Sequence, residues 1–190
     1  ALGANGIAVN AFVVTNTSAA AAALCWALLD WKFNGNPTML GTVSGAVAGL
    51  VAITPAAGFV GVGSAMAIGT TVSIFCFIAV GTIKRKFGYD DSLDAFGIHG
   101  VGGIWGALAT GLFASKAVNS AGSDGLFLGN PRLLWIQFVA VAVTIVYAFT
   151  MTLVIYKLVD IFIGVRVAEK EEAMGLDLTQ HNERAYTMLE

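Results

Sequence analysis

The residues of this chain with the most chemistry to offer stand together at Asp90-Asp91-Ser92-Leu93-Asp94-Ala95-Phe96-Gly97-Ile98-His99-Gly100-Val101-Gly102-Gly103. Three carboxylates lead into the run Ala95 to Ala114, which holds no charge and one imidazole, His99. That run is about as long as a helix must be to cross the hydrocarbon core of a bilayer. An ionisable group inside such a run marks a functional position by default. A neutral imidazole offers one hydrogen-bond donor and one acceptor. It can hold a small polar molecule, or relay a proton, without placing a fixed charge in a narrow path. Gly97, Gly100, Gly102 and Gly103 around it let another helix come close. The alternative is that the ring bonds a neighbouring helix and only packs. Asp94, at the start of the run, reads as a structural helix cap, satisfying free N–H groups and the positive end of the helix dipole. Asp90 and Asp91 follow Lys84-Arg85-Lys86 and read as ordinary mixed charge in a loop.

The elements that must position His99 are membrane helices. Of the 190 residues 57% are hydrophobic and only 12% charged, with a mean hydropathy of +0.79. A soluble domain averages about 25% charged residues. The spans are rich in Ala, Gly and Val and lack the alternating pattern of an outer-membrane barrel, so the fold class is all-α, a polytopic membrane helix bundle. A net charge of −2 gives no sign of nucleic-acid binding. Cys25 and Cys76 both fall inside apolar spans and read as small buried hydrophobes rather than a disulfide. No spacing of Cys and His suggests a metal set, and no cofactor motif is present.

Five spans are read, at about 9–31, 38–55, 62–83, 94–114 and 133–163, making 1–165 the transmembrane region and 166–190 a charged cytoplasmic tail. Lys32, Lys84, Arg85, Lys86 and Arg166 follow the first, third and fifth spans, whereas only Lys116 and Arg132 lie on the other side. The positive-inside rule then puts the C-terminus in the cytoplasm and the N-terminal end outside. Thr54-Pro55 stops the second span near its outer end. Ser44 and Thr54 read as hydroxyls bonded to their own helix, with pore lining as the lesser alternative. Gly41, Gly45 and Gly49, and likewise Gly103, Ala107 and Gly111, repeat the small-residue spacing that lets helices pack closely in lipid. These two helices are expected at the centre of a crowded bundle. Residues 115–131 read as a polar external loop. The chain opens on Ala1-Leu2-Gly3, already apolar and without a signal peptide, which reads as the interior of a longer protein.

The run from Asp90 to Gly103 closely resembles the histidine-bearing tenth helix of the ammonium transporter family (Amt/Mep/Rh). Gly45-Ala46-Val47-Ala48-Gly49-Leu50-Val51-Ala52-Ile53-Thr54-Pro55-Ala56 resembles its eighth helix, and Asn10-Ala11-Phe12-Val13-Val14-Thr15-Asn16-Thr17 the opening of its seventh. Gly164-Val165-Arg166-Val167 and Gly175-Leu176-Asp177 resemble its tail. The resemblance runs the whole length and implies helices 7 to 11 of an eleven-helix, inverted-repeat protomer in a homotrimer of the cytoplasmic (inner) membrane. It implies transport of ammonium as ammonia: the ion is captured outside and deprotonated, and the neutral molecule passes paired histidines in an apolar pore. A dehydrated cation is far costlier to carry through such surroundings than a neutral hydrogen-bonding molecule. By the resemblance His99 matches the second of the paired histidines, and Thr54 and Ser44 match hydroxyls near the pore. The first histidine and the capture site belong to a half that is not in this sequence. The tail likeness implies docking of a PII-type signalling protein, with Gly175 and Asp177 at positions tied to that coupling; Thr179 matches a position phosphorylated in plant relatives, although a solvated threonine is the plainer reading. Not an enzyme but a transporter is implied, and the rivals are an ammonium sensor on the same fold and an Rh-type gas channel.

Overall fold

The structure, a computed structural model, describes residues 3–183. Every regular element among these residues is helical, with α1 at Gly6–Asn34, α2 at Met39–Ile53, α3 at Val62–Ile78 and α4 at Lys84–Phe87. Then follow α5 at Val101–Phe113, α6 at Pro131–Phe162, α7 at Glu169–Met174 and α8 at Leu176–Thr179. Two π-helical turns interrupt the α geometry: π1 at Ala79–Ile83, which joins α3 to α4, and π2 at Phe96–Gly100, which leads into α5. Four continuous helical stretches are long and apolar enough to cross a membrane: 6–34, 62–87, 96–113 and 131–162. The expected second span is shorter than its reading: α2 has 15 residues, about 22 Å at the α-helical rise. It stops at Ile53 because Pro55 has no N–H to continue the ladder; the Thr54 N–H tightens back to Val51 O at 3.3 Å, and Ala56 and Ala57 both donate to Ile53 O.

The chain divides into two units, 1–142 and 143–190. In the first, α1 packs against α2 and α3, and the small residues of α2 decide how closely. A Cβ on Gly49 would fall 2.6 Å from Ser18 O, and one on Gly45 2.8 Å from Ala22 O. These glycines therefore bring two backbones into contact, as small-residue faces do in membrane bundles. The Ser18 hydroxyl, fully buried, donates across the same seam to Gly49 O at 2.9 Å. The core of this unit holds Val14, Ala22, Trp26, Ala48, Ile53, Ile68, Val72 and Cys76, with Trp26 edge-on to Phe77 at 5.6 Å. Cys25 and Cys76 are free thiols, and Cys76 is buried.

On α5 the packing face differs from the expected one. A Cβ on Gly102 would fall 3.3 Å from Val51 Cγ1, one on Gly106 would run into the backbone of Ala52, and one on Gly103 would meet nothing within 4 Å among the described residues. The seam with α2 thus uses 102 and 106, one residue out of phase with the 103–107–111 reading. Spacing by four fits either stripe, and only the partner helix selects one. Gly111, from the expected stripe, instead touches Leu134 at the start of α6. The 115–130 connection is tied down: Ser115 N–H donates to Phe59 O, Gly125 N–H to Ala114 O, and Lys116 N–H to the Asp124 carboxylate. Asn10 donates to both Ala57 O and Val60 O, pinning the start of α1 to the α2–α3 connection.

In the second unit the rest of α6 is exposed along its length. Gly164, at φ 80°, ends it, and its N–H reaches Val159 O and Asp160 O. Gly175, at φ 100°, separates α7 from α8. The 32 residues of α6 span about 48 Å, more than the roughly 30 Å of a hydrocarbon core, so a crossing by this helix requires tilt or protrusion.

Candidate functional site around His99

His99 lies in π2, one residue from the buried Gly97-Ile98 pair, yet its own side chain is exposed. Among the described residues its imidazole makes no hydrogen bond, ion pair or ring contact. The bundle behind it is closed, whereas the His99 and Gly103 side of the helix is open. The packing-only alternative for His99 therefore has no partner among the described residues.

What aims the ring is the backbone. Val101 N–H donates to Phe96 O, five residues back, which closes the π turn. Ile98 N–H donates to Asp94 O at 2.9 Å. The free N–H groups at the start of this turn are capped by Asp91: its two carboxylate oxygens accept from Ala95 N–H at 2.8 Å and Phe96 N–H at 2.9 Å. The side-chain cap expected of Asp94 is therefore corrected to Asp91. Asp94 has φ 55°, left-handed and unusual for a residue with a Cβ. That geometry turns its carboxylate to Lys84 Nζ at 2.7 Å. Gly97 lies against π1, where a Cβ would fall 2.7 Å from Val80 Cγ2.

The successive contacts Val51–Gly102 and Ala52–Gly106 advance together, so α2 and α5 run in the same direction. Ser44 lies two turns before Val51 on the same face of α2, which brings it to the level of π2. It is half-buried and its hydroxyl has no partner among the described residues. Thr54 lies farther out, roughly 9 Å beyond His99 along the axis at the α-helical rise. It is exposed, and its hydroxyl donates to Leu50 O at 2.6 Å, leaving only acceptor capacity. Gly175 and Asp177 lie in the second unit. Gly175 O accepts from the Thr179 hydroxyl at 3.0 Å, and Asp177 O from Glu183 N–H at 2.8 Å.

One polar group was not singled out by sequence. Asp30, only 4% exposed, accepts from Asn34 Nδ2 at 2.9 Å and from the Thr38 hydroxyl at 2.8 Å. Its signal was a lone carboxylate just inside the end of an apolar span. Among the described residues no group of three His, Cys, Asp or Glu side chains is placed to hold a metal.

The model of the Ammonium Transporter Family matches residues 1–186. The chain belongs to that family. It is 56% identical to an ammonium transporter of Bacillus subtilis over 186 residues, covering 98% of this chain and 46% of that protein. The chain thus spans about half the length of the curated relatives it matches. It superposes on Saccharomyces cerevisiae Mep2 with a TM-score of 0.85 at 33% identity, covering 93% of this chain and 41% of that one. A structure described as a sensor Amt protein matches with a TM-score of 0.83 at 28% identity, covering 93% and 43%. A multi-pass membrane protein of a transporter family follows from these likenesses and the apolar helices.

Proposed function

We propose that this chain is the part of an ammonium transporter that supplies one side of its pore, with His99 as the pore histidine. The observation that carries the reading is a lone imidazole, unpartnered, on the open face of an apolar membrane-length helix whose other face is closed against α2. In this reading ammonium is deprotonated at the entrance, and the His99 ring offers ammonia a donor and an acceptor in turn. Ser44, at the level of π2, adds a hydroxyl with both capacities free. Thr54, farther out, adds an acceptor. The second half of the pore comes from family helices that precede these five, and the working unit is a homotrimer in the cytoplasmic membrane. The charged tail faces the cytoplasm, where Gly175 and Asp177 shape the segment that a PII-type protein contacts.

A sensor on the same fold is the second reading, and the likeness to the sensor Amt structure is the observation that favours it. Both readings are tested in proteoliposomes holding the full-length protein. Ammonium-evoked current that is abolished, or loses selectivity over potassium, in His99→Ala supports the transporter with a working pore histidine. Current and selectivity unchanged in that variant would reduce His99 to packing. No flux in the unaltered protein, with ammonium still bound, would favour the sensor.

A further inference from the structure

We propose that Lys84 is a positioning residue for His99: its backbone closes one π turn, and its ammonium group holds the strained lead-in to the π turn that carries the imidazole. The proposal rests on the reading of His99 as the pore histidine and names what sets that ring's direction.

Lys84 acts at both π turns. Its N–H donates to Ala79 O, five residues back, and so closes π1. Its Nζ donates to Asp91 O at 2.6 Å and to the Asp94 carboxylate at 2.7 Å. Asp91 and Asp94 are the two residues from which π2 is built: the first caps Ala95 and Phe96, and the second accepts from Ile98 N–H. The two π turns also touch directly, Gly97 on Val80.

Asp94 is the weak point of this arrangement. Among the described residues it and Asn182 are the only non-glycine residues with positive φ. A left-handed residue with a Cβ is strained and persists only where its surroundings over-determine it. Here the surroundings are the Lys84 ammonium group on its side chain and the Ile98 N–H on its carbonyl. A π turn carries one residue more than an α turn, and such turns are frequent at functional sites. If π2 relaxed to α geometry, the residues on its two sides would shift by one position, about 100° around the helix axis. The far side is fixed by the Gly102–Val51 and Gly106–Ala52 contacts. The near side is fixed by Lys84. His99 lies between them with no bond of its own, so its direction is set by these two anchors.

The test uses the full-length protein, ¹⁵N-labelled at histidine, with the His99 ring signals assigned by their loss in His99→Gln. Lys84→Met is expected to move those signals and to lower maximal ammonium flux by about tenfold, the scale of a small misplacement at a reacting group, with the half-saturating concentration unchanged. Lys84→Arg is expected to restore both. So is Lys84→Met combined with Asp94→Gly, because glycine adopts the left-handed conformation without help. All readings are taken on the membrane-assembled fraction, and Lys84→Gln replaces Lys84→Met if the latter fails to assemble. Ring signals unmoved by loss of the ammonium group overturn the proposal whatever the flux, and so does a failure of Asp94→Gly to restore them. Ring signals that move and are restored while flux never changes support the positioning role and instead sink the reading of His99 as a pore residue.

Discussion

Asp30 and Thr38 form a relay at the turn between α1 and α2. The Thr38 hydroxyl donates to Asp30 Oδ2 at 2.8 Å and accepts from Gly41 N–H at 3.0 Å. One side chain thereby caps α2 while it satisfies a buried carboxylate. Gly41 must be glycine here, since a Cβ would collide with both Asp30 and Thr38 side chains and reach within 2.9 Å of Trp26 Nε1.

Asp30→Ala is expected to lower the stability of the full-length protein by about 1–3 kcal/mol, because the Thr38 hydroxyl and Asn34 amide lose a buried acceptor. Asp30→Asn, which keeps one carbonyl oxygen, is expected to lose less. Unfolding midpoints in detergent decide it; equal losses for the two variants would show that the acceptor is not what matters.

The α1–α2 and α2–α5 seams give a second prediction. Gly49→Ala and Gly106→Ala push a methyl group into backbone, for which overpacking costs about 1–3 kcal/mol. Gly103→Ala has open space among the described residues and is expected to cost less than either. The same unfolding measurement ranks the three, and a Gly103→Ala that proved the worst would mean the seam had been assigned to the wrong stripe.

Asp91 and Asp94 separate by amide exchange. Asp91→Ala removes a two-oxygen cap, a loss of typically about 1 kcal/mol, and should speed exchange at Ala95 and Phe96 first. Asp94→Ala keeps that cap intact. Faster exchange at Ala95 and Phe96 in Asp94→Ala than in Asp91→Ala would return the cap to Asp94.

The two hydroxyls of the proposed pore are expected to differ. Ser44→Ala should reduce ammonium flux several-fold, since its hydroxyl is free to bond a solute, while Thr54→Val should have the smaller effect, since that hydroxyl already donates to Leu50 O. Flux assays in proteoliposomes compare them, and a larger loss in Thr54→Val would reverse the assignment.

Deleting residues 167–190 should weaken capture of a PII-type protein in a pull-down from membranes carrying the full-length protein. Capture at the unaltered level would remove the docking role proposed for Gly175 and Asp177.

Much of the architecture is legible in the sequence. Apolar run length alone marked spans at about 9–31, 62–83, 94–114 and 133–163, which fall on the helical stretches 6–34, 62–87, 96–113 and 131–162, because lipid leaves no other way to satisfy a spanning backbone. His99 stood out because an ionisable residue in such a run is rare, and Thr54-Pro55 marked the end of α2 because proline removes a donor. What the sequence could not settle was phase and partnership. The 102–106 and 103–107 stripes are equally small, and only the position of Ala52 selects between them. Asp91 and Asp94 both precede the same helix, and the cap went to the one whose carboxylate reaches back to Ala95 and Phe96. The π turns left no mark in hydropathy, since inserting one residue changes direction rather than polarity. Composition and run length report how much of each helix avoids water. Which way His99 faces depends on contacts from Lys84, Val80 and Val51, brought to it from distant parts of the chain by folding.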